Sequence, residues 1–178
     1  MHYHFRLAAD QDVDTLVHLI NAAYRPAADL TGWTHEGAIL DGPRINAGQL
    51  HESLATQGVV LLVMEIDDVL TACVEVQQQG DDAYIGTLAV LPGQQNSGIG
   101  KMMLGAAEAY AIEQLKATRL VMSVLSGRVE LINFYVRRGY VRSGKLQDFP
   151  LDAGVGVPKV SRLALETLYK TVPHTADV

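Results

Sequence analysis

Cysteine is nearly absent: Cys73 stands alone among 178 residues. A single thiol cannot close an internal disulfide, and in the apolar run "TACVEV" it reads as a packing residue in a reducing, cytoplasmic compartment. Long hydrophobic runs are missing as well. The longest, Val59 to Met64, falls far short of the ~20 residues of a membrane-spanning helix, so no membrane partner is expected. The opening "MHYHFRLAADQD" lacks the apolar core and small-residue cleavage site of a signal peptide. Basic charge is scarce: 14 Lys and Arg face 20 Asp and Glu, a net charge of −6. That argues against a nucleic-acid partner. It also means that an anionic ligand must be held by local dipoles and a few local cations rather than by the field of the whole protein. No repeat of solenoid period and no low-complexity tract is present. What is left, 48% hydrophobic and 19% charged residues, is the mixture of one soluble globular domain spanning residues 1–178.

The patterning alternates between periods of two and of about 3.6 residues. "YHFRLAA" (Tyr3–Ala9) reads as a first strand. Asp10 is a candidate N-cap for a helix in which Val13, Leu16, Val17 and Ile20 share a face. Pro26 ends that helix, residues 27–46 read as irregular, and "AGQLHESLATQ" as a short helix. Then come "GVVLLVMEI", "VLTACVEVQQQ" and "AYIGTLAVLP", three strands separated by the polar turns Asp67–Asp68 and Gln79–Asp82. They read as an antiparallel meander. An apolar face of Ile99, Met103, Ala106, Ala107 and Tyr110 marks a helix to about Lys116. The strand "TRLVMSVL", the helix "RVELINFYVRRG" and the strand "YVRSGKL" follow. Phe149–Pro158 reads as a Gly- and Pro-rich loop, and "KVSRLALETL" as the last strand. A strand–helix–strand unit in the middle demands a right-handed crossover and one parallel pairing. The fold class is therefore mixed α/β: a mostly antiparallel sheet of about seven strands flanked by about four helices.

The stretch "LPGQQNSGIGKMML", residues 91–104, carries the chemistry. A helix N-terminus exposes unpaired N–H groups and the positive end of the helix dipole, and glycines let a phosphate approach the backbone. Two phosphate motifs fail here. A P-loop needs glycine where Gln95 stands and Ser or Thr where Met102 stands. A dinucleotide fingerprint needs glycine where Met103 stands. What fits is Gln/Arg-x-x-Gly-x-Gly/Ala, as Gln95-Asn96-Ser97-Gly98-Ile99-Gly100. The segment "LAVLPGQQNSGIGKMML" resembles the acetyl-CoA pyrophosphate loop of the GNAT superfamily of N-acetyltransferases. Downstream, "NFYVRRGY" (Asn133–Tyr140) resembles the family's second motif. The order of strands and helices is similar to the family's fold.

The resemblance implies acetyl-CoA as co-substrate and no metal. It implies that Gln95, Asn96, Ser97, Gly98, Ile99, Gly100 and Lys101 hold the pyrophosphate, and that Leu88, Ala89 and Val90 pair with the pantetheine arm. Asn133 would contact that arm, and Tyr135 would protonate the departing thiolate, a task suited to a phenol. Arg137 and Arg138 can reach an adenine or phosphate, or simply complement the end of their helix. A base must take a proton from the acceptor amine. Glu75, mid-strand beside the acetyl arm, comes first, ahead of Glu36 and His35. Trp33 with Glu36 can hold an amine or other cation, and Arg44 can pair with a substrate carboxylate. His2 and His4 lack the further ligands a metal site needs. The implied reaction is direct transfer to an amine, and the acidic charge balance with the Trp33–Arg44 segment favours a small molecule over a protein as acceptor. The rivals are a CoA-binding sensor without transfer, transfer to a protein N-terminus or lysine, and a donor other than acetyl. The resemblance also raises a homodimer formed through the last strand and the 149–158 loop.

Overall fold

Two tight turns set the centre of the sheet. In this computed structural model, which describes residues 1–25, 40–160 and 163–173, Asp67 and Asp68 both take positive φ (49° and 65°). That is the turn geometry whose twist matches an antiparallel hairpin, and aspartate tolerates it better than most side chains. The turn joins β3 (Val59–Ile66) to β4 (Val69–Gln79). Gly80, at φ 62°, then reverses the chain into β5 (Asp82–Val90). The meander expected from the sequence is present and antiparallel throughout.

The sheet is completed by β1 (Tyr3–Leu7), β6 (Arg119–Leu125), β7 (Val141–Asp148) and β9 (Ala164–Thr171). Its order is β1-β3-β4-β5-β6-β9-β7. Only β5 and β6 run parallel, as the crossover through α3 (Ile99–Glu113) requires. One face packs α1 (Val13–Tyr24) and α2 (Ala47–Ala55) through Leu16, Ile20 and Leu50 onto Leu61, Val63, Cys73 and Ala89. The other face packs α3 and α4 (Val129–Val136) through Met103, Ala107 and Ile132 onto Met64, Val74, Ile85 and Leu120. Strand residues therefore alternate between two buried layers, which explains the nearly unbroken apolar runs of β3 and β4. Among the described residues no helix is long and apolar enough to cross a membrane.

A bulge interrupts the β4–β5 ladder. Cys73 pairs with Ala89 and Glu75 with Gly86, so Val74 alone faces both Thr87 and Leu88. Thr87 takes φ 48°. A bulge of this kind bends the strand that carries it. The parallel pairing of β5 with β6 covers only Asp82, Ala83 and Tyr84 against Arg119, Leu120 and Val121. Beyond that point the two strands part, and a cleft opens in the middle of the sheet.

Several boundaries differ from the sequence expectation. Strand β1 stops at Leu7. Asp10 begins a 3-10 turn, Asp10–Asp12, whose cap is Ala9. The decisive acid is Asp12, which accepts from the Ala9 N–H at 2.8 Å and pairs with Arg6 at 2.7 Å. The 149–158 segment is not plain loop: it holds a 3-10 turn, Leu151–Ala153, and β8 (Val157–Pro158). That strand pairs with β2 (Leu40–Asp41), inside the stretch expected to be irregular. The last strand begins at Ala164, downstream of the expected start at Lys159, and stays extended to Thr171.

Candidate active site

The cleft between β5 and β6 holds a cavity of about 200 Å³. Its walls include Tyr84, Gly86, Thr87 and Leu88 of β5, Ser123 of β6, and Leu131 and Tyr135 of α4. Tyr24 and Arg44 close it from the α1 side, and Leu40, Phe149, Pro150 and Val155 from above. The upper wall is tied down from several directions. Arg25 Nη2 donates to the Val155 carbonyl at 2.8 Å. Gln49 Nε2 donates to the Ala153 and Gly154 carbonyls at 3.1 and 3.2 Å. Lys159 pairs with Asp41 at 3.1 Å, beside the β2–β8 contact. Gln49 also forms a reciprocal capping pair with Asn46 at the start of α2, so one side chain serves helix and roof together.

Asn21 sets the position of Arg44. Its Oδ1 accepts from the Arg44 and Ile45 N–H groups at 2.7 and 3.1 Å, and its Nδ2 donates to the Ile45 carbonyl at 2.9 Å. The Arg44 guanidinium lies 5.4 Å from the centre of the Tyr24 ring, within cation–π range. The Tyr24 hydroxyl donates to the Leu88 carbonyl at 3.0 Å.

Glu75 sits in register opposite the cavity-lining Gly86. Burial raises its carboxyl above the ordinary 4.5, while the Arg44 charge and the Ser53 hydroxyl pull the other way. Tyr135 is 7% exposed. Its ring is fixed edge-to-face between Phe134 and Tyr140, with centroids at 5.2 and 5.9 Å. Burial and the neighbouring Tyr84 phenol raise its hydroxyl well above the usual tyrosine range, and Arg128 and Arg138 offset this only partly. The hydroxyl is thus kept protonated in the cavity wall.

A second pocket, about 470 Å³, lies between the start of α3 and α4. Asn96, Gly98, Gly100 and Lys101 form one side, and Glu130, Asn133, Phe134, Arg137 and Arg138 the other, so three cationic side chains face one carboxylate. Gly98 is the N-cap of α3 at φ 85°, so the N–H groups of Ile99, Gly100 and Lys101 begin the helix without intrahelical acceptors. Arg138 lies 3.6 Å over the Phe134 ring and donates to the Phe134 carbonyl at 2.7 Å. Its Nε is buried without a partner among the described residues. Burial and Arg137 push its pKa down, and Tyr135 and Glu108 offset this only partly. Helix α4 separates the two pockets: Leu131 and Tyr135, one turn apart, face the cavity, and Asn133 and Arg137, also one turn apart, face the cationic pocket.

The other sequence candidates fall as follows. Gln95 lies under the loop and donates through Nε2 to the Val90 carbonyl at 3.0 Å. The Ser97 hydroxyl donates to the Gln94 carbonyl, and the Ile99 side chain is in the core. Leu88 reaches the cavity wall, whereas Ala89 pairs with Cys73 and Val90 with Ala72. Trp33, His35 and Glu36 lie outside the described residues. His4 on β1 and His2 just before it are both exposed. Sequence reasoning did not single out Asn21, Tyr24, Tyr84 or Ser123. Their roles depend on contacts between elements far apart in the chain, and no local pattern marks them.

The model of the acetyltransferase (GNAT) family matches residues 17–140. The chain belongs to the GNAT acetyltransferase family. It is thereby an N-acetyltransferase by family, and acetyl-CoA is the donor that family uses. No curated protein matches the chain. Solved structures share its fold at low identity. The ribosomal-protein-S18-alanine N-acetyltransferase of Escherichia coli superposes with a TM-score of 0.71 at 13% identity, over 99% of this chain and 100% of its own. YncA of Salmonella typhimurium, solved with its cofactor acetyl-CoA, gives 0.70 at 18%, over 100% and 98%. Spermidine N-acetyltransferase SpeG of Vibrio cholerae, an F149A variant, gives 0.67 at 15%, over 94% of each chain.

Proposed function

We propose that this chain acetylates the amine of a small molecule, with the phosphates of acetyl-CoA in the cationic pocket and the acetyl group in the β5–β6 cavity. The observation that carries this reading is the pair of pockets on either side of α4, one presenting the α3 N-terminus with Lys101, Arg137 and Arg138 against the single carboxylate of Glu130, and one enclosing a protonated phenol. The residues fit the donor. The buried Arg138 Nε lacks an acceptor, and an added Cβ on Gly98 would meet nothing within 4 Å, so the pocket floor is open to a phosphate. The amides of Gln95 to Lys101, with Asn133 and the Arg137–Arg138 pair, are the groups proposed to hold it. The edge of β5 at Leu88 to Val90, beyond the last residue that pairs with β6, is the proposed rail for the pantetheine arm.

Bound acetyl-CoA supplies a thioester carbonyl, whose C–S bond breaks as the acceptor nitrogen forms the new C–N bond. Tyr135 is proposed to give the departing thiolate its proton. Glu75 is proposed to take the proton that the amine must lose, and its raised pKa brings it closer to the working range of a general base. The cavity's modest volume and its roof of β2 and β8 favour a small acceptor over an extended polypeptide. Calorimetry tests the reading: acetyl-CoA should bind the native chain, and Gly98→Trp should abolish binding while free thiol release with an amine panel falls to background. A folded native chain that does not bind acetyl-CoA would overturn it.

A further inference from the structure

We infer that the acceptor carries a carboxylate as well as an amine, at the size of a free amino acid with an apolar side chain, and that Arg44 binds the carboxylate. The inference rests on the transferase reading above and concerns the same cavity. Among the described residues that line the cavity, Arg44 is the one with a formal charge; the others are apolar, aromatic or hydroxyl-bearing. None of the ion pairs among the described residues engages its guanidinium. The cation is nevertheless held in place. Asn21 holds its backbone N–H and both backbone polar groups of the next residue, Ile45, and the Tyr24 ring supports the guanidinium. Tyr24 is itself tied to Leu88. A pre-positioned guanidinium with a free fork of donors is matched to a planar carboxylate, which it can grip with two parallel hydrogen bonds.

The surroundings narrow the class further. Glu75 lies within electrostatic reach of Arg44 but is not among the residues that line the cavity, so Arg44 is the charge the cavity itself presents. A di- or polyamine would instead bring a second ammonium towards Arg44 in a site partly shielded from water, where like charges repel strongly. The remaining wall, with Leu40, Phe149 and Val155, suits an apolar side chain. At about 200 Å³ the cavity is smaller than the roughly 300–1,000 Å³ of drug-sized sites, and the acetyl group must share it.

The test compares free apolar amino acids with the matched amines that lack the carboxylate, and with spermidine, by thiol release at saturating acetyl-CoA and pH 8.5. The expected result is a kcat/KM at least about tenfold higher for the amino acids. Arg44→Gln should raise their KM by at least about tenfold with kcat little changed, and should lower kcat/KM for the decarboxylated amines far less. Arg44→Lys should recover part of the loss. Calorimetry supplies a readout independent of turnover: amino-acid binding to the CoA-saturated protein should disappear in Arg44→Gln, while acetyl-CoA affinity, which also reports folding, stays unchanged. Preference for the plain amines or spermidine would overturn the inference. So would failure to acetylate any amino acid by a chain that binds acetyl-CoA. Failure to bind acetyl-CoA would sink the transferase reading itself.

Discussion

The Tyr24 hydroxyl donates to the Leu88 carbonyl across 3.0 Å, tying the last residue of α1 to the strand that edges the cavity. The bond spans two elements that share no backbone ladder, so it locks the α1 face against the bulged part of β5. Tyr24→Phe keeps the ring under Arg44 and removes only the hydroxyl. It should cost about 1 kcal/mol, the usual net value of one hydrogen bond, read as a lower urea midpoint with an unchanged slope. The KM for the acceptor should rise more than the affinity for acetyl-CoA falls, because the loosened contact is on the acceptor side.

Gly98 is required for its backbone conformation and not for lack of room. Its φ is 85°, and an added Cβ would touch nothing within 4 Å. Gly98→Ala should therefore lose about 1–2 kcal/mol of stability from left-handed strain, visible in thermal unfolding, with acetyl-CoA binding weakened but present. Gly98→Trp carries a similar backbone cost and also projects a ring into the 470 Å³ pocket, so it should bind no acetyl-CoA. Equal binding by the two variants would show that the pocket is not the phosphate site.

Gly156 tests the roof. Its φ is 128°, and a Cβ there would lie 2.8 Å from Arg25 Nη2 and 3.0 Å from the Asp41 carbonyl. Arg25 holds the neighbouring Val155 carbonyl, and Asp41 belongs to the β2–β8 pair, so neither can move aside without loosening the wall. Gly156→Ala should cost about 1–3 kcal/mol and raise the acceptor KM, with acetyl-CoA affinity unchanged by calorimetry. Loss of acetyl-CoA binding instead would mean that the roof serves the donor.

Tyr135→Phe keeps the edge-to-face packing with Phe134 and Tyr140 and removes the hydroxyl proposed as the acid. Removal of a positioned general acid typically costs about 10²–10⁴ in rate, so kcat should fall at least a hundredfold with stability near the native value. Because burial raises the hydroxyl's pKa, no alkaline loss of kcat from this group should occur below pH 10. The sign for stability follows from linkage. A group whose folded pKa is raised contributes stability that is full below its unfolded value and is lost as pH climbs through the folded one. Native protein should thus weaken above about pH 10 more steeply than Tyr135→Phe. A kcat within threefold of native would remove Tyr135 as the acid.

Patterns of period two and 3.6 made most of the fold legible in advance, because both faces of the sheet are buried and the turns carry Asp, Gly and Pro. The two-residue strands β2 and β8 were not legible, since pairing that short leaves no periodicity. The same holds for the bulge at Thr87: nothing in "AYIGTLAV" marks a left-handed threonine, yet that residue bulges the β4–β5 ladder and lines the cavity. At the proposed phosphate loop the relevant groups are backbone amides of one continuous segment, so glycine spacing together with the flanking strand and helix could point to them. At the acceptor side Asn21, Arg44, Glu75 and Ser123 come from four different parts of the chain. Arg44 and Glu75 were named from the types of their side chains, while Asn21, which positions Arg44, left no trace in the pattern.

Glu75 and Arg44 are coupled, and the coupling has a sign. Burial raises the Glu75 carboxyl above 4.5, and the Arg44 charge restrains that rise. If Glu75 is the base, kcat/KM must climb as pH passes through its raised pKa, giving an acid limb above pH 4.5. Arg44→Gln removes the restraint, so the limb should move to higher pH, measured with a plain amine acceptor that does not need Arg44 for binding. Stability should answer in the same direction. A raised folded pKa contributes stability in full below the unfolded value and loses it as pH rises through the folded one, so at neutral pH the ionised Glu75 works against the fold. Glu75→Gln should therefore raise Tm at pH 7, and the gain should vanish near pH 4, where the native carboxyl is protonated. An acid limb that stays put in Arg44→Gln, while Glu75→Gln still shows the Tm gain, would leave Glu75 as a buried structural carboxylate and pass the role of base to another group.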